Sequence, residues 1–490
     1  MTTALAWFRR DLRLSDNPAL CAALENHQNV IPVFIHAADE PVAWQPGAAS
    51  RWWLHHSLVA LDGQLQAQGS RLVIRSGRDS LECLRTLIAE TGATQVYWNR
   101  QYEPQHIARD KAIKSSLRDA LIEVDTFNAG LLYEPRSISK KDGGPFRVFT
   151  PFWKACLKTG LPVVDCLAPE QMPAVDSRIA GESVDTLDLL PTIPWDSDFP
   201  ASWQPGETGA QEKLQAFIDG GVTDYEDNRN RPDYAGTSML SPHLHFGEIS
   251  PRQVVQTVSE FADRAVQPGV IANTEAFIRQ IGWREFAHHL LYHYPHTSNR
   301  PLDTRFEKFP WRQDYADDLR AWQRGATGIP IVDAGMRELW HTGWMHNRVR
   351  MIVASLLVKN MLIPWQAGAE WFLDTLVDAD LANNTLGWQW SAGCGADAAP
   401  WFRIFNPVTQ AGKFDPHGHY IRRWVPEIAA LPNKYLASPW TAPAEVLASC
   451  NLQLGRDYPA PRVDLKVSRA TALERFQSIR NNPRTPPDQA

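Results

Sequence analysis

Nowhere in the 490-residue chain do apolar residues run without interruption for the stretch of about 18 that a membrane-spanning helix needs, so no span is expected. The N-terminal MTTALAWFRRDLRLSDNP places arginines where a secretory apolar segment would continue, so export is not expected either. Cysteine is scarce. The six residues Cys21, Cys83, Cys156, Cys166, Cys394 and Cys450 form no CxxC pair, which argues against a zinc ribbon or a disulfide framework and fits a reducing, cytoplasmic setting. A global excess of positive charge is missing too. The net charge of -6 excludes a generally basic coat, although contact with nucleic acid needs only a local basic surface. No internal repeat is evident. What the chain has in quantity is tryptophan, 20 residues, most of them expected as packing units and a few as candidates for stacking or electron transfer.

Residues 1–130 alternate short β-branched or apolar runs (ALAWF, VIPVFIH, RLVIRS, QVYWN, IEVDTFN) with helical patterns such as Ser50–Gly69 and Gln101–Ala120. Such alternation predicts a Rossmann-like α/β domain, a parallel sheet with helices on both faces. From about Leu161 to Gly206 the chain fills with Pro, Asp and Ser, a composition suited to an irregular connector, and residues 131–206 are assigned to it. Helix-period segments follow: Glu212–Gly220, Ser250–Phe261, Ile271–Tyr294, Asp333–Asn360 and Ala367–Leu376. They predict an all-α domain over 207–477. Residues 478–490 are polar and proline-bearing and read as a disordered tail.

Two segments concentrate polar chemistry on apolar elements. TGWMHNRVRMIVASLLVKNMLIPW (342–365) sets His346, Asn347, Arg348 and Arg350 at the start of an apolar helix, where the plain alternative is the solvated end of a core helix. LVDADLANNTLGWQWSAGCGADAAPWFRIFNP (376–407) gathers Asp378, Asp380, Asn383, Asn384, Trp388, Trp390 and Arg403 among small residues that let a flat ligand approach.

Together with WFRRDLRLSDNPAL (7–20), TSMLSPHLHFGEISP (237–251) and IGWREF (281–286), these segments resemble the photolyase and cryptochrome family over nearly the whole chain. The resemblance implies an N-terminal α/β domain that carries an antenna pigment and a C-terminal helical domain that holds FAD. It implies that Tyr225, Thr237, Ser238, Leu240 and Ser241 wrap the phosphates and ribityl chain. Asn347, Arg350, Asp378, Asp380 and Asn384 would surround the flavin ring, with Trp283 also counted among the cofactor-binding residues. A loop of small hydroxyl residues before a helix suits a pyrophosphate, and an Arg350–Asp378 pair beside the ring would favour the reduced, anionic flavin. Trp388, Trp365 and Trp311 fall at the family's electron-relay positions.

The resemblance further implies UV-damaged DNA as substrate and a monomeric enzyme. Trp283 and Trp390 would cradle a flipped-out dimer with Met351 beside it, flat apolar walls suiting unstacked pyrimidines. Arg229, Arg348 and Arg403 would meet flanking phosphates. Asn347 and Met351 stand where enzymes specific for (6-4) products carry His, and Asn384 where plant cryptochromes carry Asp. Light-driven repair of cyclobutane pyrimidine dimers is therefore the leading reading. Gln280 departs from it: cyclobutane-dimer photolyases usually have Glu there, and Gln hydrogen-bonds without supplying an acidic proton. The alternatives are a (6-4) photolyase, a cryptochrome blue-light photoreceptor and a light-independent flavoprotein that binds DNA. Glu103 matches a carboxylate that contacts a folate antenna, which makes methenyltetrahydrofolate the expected second pigment. His289 and His293 in HHLLYHYPH (288–296) share an i, i+4 face, yet no HExxH accompanies them and no metal is expected.

Overall fold

The computed structural model describes residues 2–37, 40, 44–164, 166–265, 269–398 and 402–480. Two compact units emerge, one of Met1–Thr223, Ser238–Pro295 and Val377–Asp380, the other of Asp224–Thr237, His296–Leu376 and Leu381–Ala490.

In the first unit the five apolar runs become β1 (Thr3–Phe8), β2 (Asn29–Ala37), β3 (Val73–Gly77), β4 (Gln95–Asn99) and β5 (Glu123–Phe127). All pairs are parallel, in the order β3-β2-β1-β4-β5. The central β1 is buried from Ala4 to Phe8, as a strand covered on both faces requires, and packs with Val33, Val73, Val96 and Trp98 into one core. Each such aliphatic side chain contributes about 1.5–3 kcal/mol relative to exposure.

The strand order reverses between β1 and β4, and the crevice beyond their carboxyl ends is where open α/β sheets take ligands. Arg9 and Arg10 follow β1 there, and Glu103 follows β4. The Asn99 amide holds the loop after β1 by donating to Asp11 Oδ2 at 2.6 Å and Asn17 Oδ1 at 2.7 Å.

The same unit pairs two of the six cysteines. Cys21 and Cys166 are joined in a disulfide across 145 residues of sequence, with Cα atoms 6.5 Å apart. The two lie too far apart in the chain for spacing to suggest the pair. The histidines that invited a metal are engaged with backbone: His289 Nε2 accepts from the Phe146 amide at 3.1 Å, and His293 Nε2 donates to the Pro135 carbonyl at 3.1 Å.

The second unit is helical. The segment 333–360, expected as one helix, is divided into Pro330–Thr342, Asn347–Ser355 and a π turn at Leu356–Asn360. Gly343 makes the first break, since its φ of 66° ends the helix in a left-handed cap whose N–H returns to the Leu339 carbonyl. His346 begins the next helix as its N-cap, its Nδ1 accepting from the Arg348 amide at 3.1 Å. Trp365–Thr375 and Leu381–Ala392 follow. The helix Leu465–Arg480 takes in residues 478–480, and 481–490 of the expected tail lie outside the described residues. Among the described residues no helix is long and apolar enough to cross a membrane.

Candidate functional site

In the first unit, the helix Val270–His293 sets Gln280 and Trp283 three residues apart on one partly exposed face. The Gln280 amide nitrogen donates to the Ala276 carbonyl at 3.1 Å, leaving its side-chain oxygen available to a donor. Phe149 covers one face of Trp283, its ring centroid 3.7 Å away and nearly parallel at 9°.

On the same helix His288 faces Asp380, Nε2 to Oδ2 at 3.4 Å, and His245 Nδ1 approaches the same oxygen at 3.7 Å. Burial opposes the Asp380 charge, but His288 and His245 outweigh it and hold the carboxyl well below its ordinary range. Burial, reinforced by Arg10, pushes His245 down. His245 Nδ1 and both His288 nitrogens are buried without a hydrogen-bond partner. Beyond their ion-pair approach to Asp380, these ring nitrogens make no well-directed hydrogen bond, so the residues present fit an inserted polar group such as one edge of a flavin. Ser238 to Ser241 form a turn in which Met239 takes φ 55° and Leu240 a right-handed conformation before the short helix Ser241–Phe246. A left-handed residue beside a right-handed one is the backbone pattern that anion-binding nests use.

Glu103 is only 4% exposed. Its Oε1 pairs with Arg10 and its Oε2 with His106 Nδ1 at 2.8 Å. Burial works against ionisation, yet Arg10 and His106 prevail and keep the carboxyl far below its ordinary range. A pigment meeting Glu103 would share an oxygen already in use.

In the second unit the predicted arginines gather. Arg348 donates to Asn230 Oδ1 at 2.6 Å, meets Met351 Sδ at 3.6 Å and lies 4.4 Å over the Phe414 ring. Burial, followed by repulsion from Arg229 and Arg403, lowers its affinity for its proton. Arg350 is turned differently, Nε to the Met345 carbonyl at 2.7 Å. Trp390 and Arg403 share a small cleft with Lys359, whose buried ammonium donates to the Ala392 carbonyl at 2.8 Å and stands 3.0 Å from the Phe402 ring centre. Asn347 is exposed at its helix start. The Asn384 amide donates to the Ala369 carbonyl at 3.0 Å, which orients its oxygen away from that contact.

Trp388 and Trp365 are each 2% exposed. The Trp388 ring lies against Gly368, where a Cβ would come within 2.1 Å of it, one turn past Trp365 on the same helix. Trp365 and Trp311 line one groove of about 570 Å³ with Arg300, Glu307 and Glu370. Tyr225 is buried and Thr237 half-buried.

Three groups escaped the sequence reading. FTPFW (149–153) carried a signal in its i, i+4 aromatic spacing, and the two histidines carried none beyond their place in family-like segments. The third is Glu338, 8% exposed, whose Oε2 accepts from the Tyr420 hydroxyl at 2.6 Å and the His346 amide at 3.4 Å. Burial pushes its carboxyl up to about 7. The folded chain therefore holds a proton that the unfolded chain releases near pH 4.5, and stability falls as pH rises between those values. Glu338→Gln is expected to remove about 2.5 kcal/mol of that dependence, read from urea unfolding at pH 5 and pH 8.

Two family models match separate parts of the chain. Residues 4–174 match the family model described as DNA photolyase, and residues 277–478 the FAD binding domain of DNA photolyase. The chain belongs to the DNA photolyase family, and FAD is its cofactor. It is 48% identical to the deoxyribodipyrimidine photo-lyase of Agrobacterium fabrum, over 97% of this chain and 98% of that protein. A crystal structure of a bacterial class III photolyase from Agrobacterium tumefaciens superposes with a TM-score of 0.93 at 46% identity, covering 98% of each chain. Cryptochrome-1 of Arabidopsis thaliana is 39% identical over 97% of this chain and 70% of its own length. The resemblance and the fold class read from the sequence are both borne out.

Proposed function

We propose that this protein repairs cyclobutane pyrimidine dimers in UV-damaged DNA, driven by blue light absorbed at bound, reduced FAD. The observation that carries the reading is the convergence of Arg229, Arg348 and Arg403 about a helix that also bears Asn347 and Met351, with Arg348 touching Met351. Phosphate-binding charge is thereby tied to an apolar lesion contact.

When bound and reduced, FAD supplies the excited-state electron that opens the cyclobutane ring. The chain's own residues bind, orient and exclude water. Tyr225, Thr237, Ser238, Leu240 and Ser241 would hold the phosphates and ribityl chain. Asn347, Arg350, Asp378, Asp380 and Asn384 would meet the ring, with Asp380 kept ionised by its two histidines. Trp283 and Trp390 would each offer a flat apolar wall to an unstacked pyrimidine. Gln280, whose amide nitrogen carries a second N–H besides the one given to Ala276, would hold a carbonyl of the damaged bases and stabilise their radical anion.

Asn347 and Met351 favour cyclobutane dimers over (6-4) products, and Asn384 favours repair over plant-type signalling. Gln280 is the one feature that favours the (6-4) alternative. In this reading residues 1–130 form the antenna domain, 131–206 the connector and 207–477 the FAD- and DNA-binding domain of a cytoplasmic monomer. Methenyltetrahydrofolate is the antenna, reached through Glu103.

The test is restoration of an oligonucleotide carrying one cyclobutane dimer by the reduced holoprotein, in blue light and in darkness. Restoration in light alone is expected. No restoration in light would overturn the reading.

A further inference from the structure

Trp283 does not stand alone in the first unit. Phe149 stacks on it at 3.7 Å and 9°, and Trp153, one helical turn beyond Phe149, continues the parallel series at 6.4 Å and 9°. Phe149 and Trp153 are 5% and 7% exposed, whereas Trp283 is partly open. Phe286 closes the edges, perpendicular to Phe149 at 5.9 Å and 70° and to Trp283 at 5.9 Å and 75°. Gly282 permits this approach, because a Cβ there would sit 2.6 Å from the Trp153 ring. The helix Phe149–Thr159 thus presents an aromatic backing to the residue on Val270–His293 that carries the indole.

An indole with both faces open can swing about its side-chain torsions, and ordering it when a base arrives costs entropy. With Phe149 covering one face and Phe286 the edge, the plane of Trp283 is set before any ligand binds, and the residue stays partly exposed.

We infer that Phe149 is a positioning residue for lesion recognition, holding Trp283 as a preformed, single-faced platform for the unstacked dimer. This rests on the reading of Trp283 as a lesion contact. Because the stack acts on the damaged bases and not on phosphates, its loss affects damaged DNA selectively. The energy of one aromatic pair sets the scale at about tenfold in affinity.

The test is equilibrium binding in darkness of the FAD-loaded protein to an oligonucleotide with a single cyclobutane dimer and to its undamaged counterpart. Phe149→Leu, which keeps apolar volume but not the flat ring, is expected to weaken binding of the damaged strand about tenfold and spare the undamaged one. Phe149→Tyr restores affinity to near the parent. Equal loss on both strands with Phe149→Leu, as a folding defect would give, overturns the inference, as does no loss on the damaged strand. Trp283→Ala run beside them separates the two claims. If it leaves affinity for the damaged strand unchanged, the lesion-contact reading fails. If it lowers that affinity while Phe149→Leu does not, the positioning role alone fails.

Discussion

Changing Arg229→Gln, Arg348→Gln and Arg403→Gln together is expected to reduce DNA binding to background at physiological salt, for damaged and undamaged strands alike. Burial first, and then repulsion from Arg229 and Arg403, lowers the proton affinity of Arg348, and among the described residues none of the three has a carboxylate partner to neutralise it. Positive charge left unpaired and partly desolvated has an anion as its natural complement. Each phosphate that is no longer neutralised takes about 0.9 from the slope of log affinity against log salt, so the triple variant should flatten that slope by about 2.7. Surface arginines serving only solubility would leave the slope unchanged. Titration at three salt concentrations reads the difference directly.

Trp388→Phe is expected to stop the light-driven reduction of oxidised FAD by an external donor while sparing repair by protein reduced chemically beforehand. Trp388 is buried against Gly368 and lies 5.0 Å from the Phe372 ring, so a phenyl ring keeps most of the packing and FAD content should hold. What phenylalanine removes is the readily oxidised indole. Trp365 is equally buried, and Trp311 shares with it a solvent-reaching groove, where a donor in solution would meet a relay running through these residues. Flavin absorbance followed under blue light with a thiol donor checks this. Photoreduction at the parent rate would remove Trp388 from the route.

All five strands were legible because each is a β-branched or apolar run between helical patterns, and parallel pairing follows from that alternation. The helix expected over 333–360 was misread because hydrophobic periodicity runs on across Gly343, where the backbone turns left-handed; a glycine near a helix end was the available signal. His346, read among the polar residues at the start of an apolar helix, is the N-cap of Asn347–Ser355. The arginine cluster was legible only through resemblance, since Arg229, Arg348 and Arg403 come from distant parts of the chain. Phe149 beneath Trp283, the Cys21–Cys166 bond and the proton held by Glu338 depend on tertiary contacts that no local pattern encodes.

Lesion choice tests the account most directly. The reduced holoprotein is given two oligonucleotides of one sequence, one with a cyclobutane dimer and one with a (6-4) product, and initial rates of restoration are compared under the same blue light. Asn347 and Met351 predict that the cyclobutane dimer is restored and the (6-4) product is left intact. Restoration of the (6-4) product with the cyclobutane dimer untouched would contradict it.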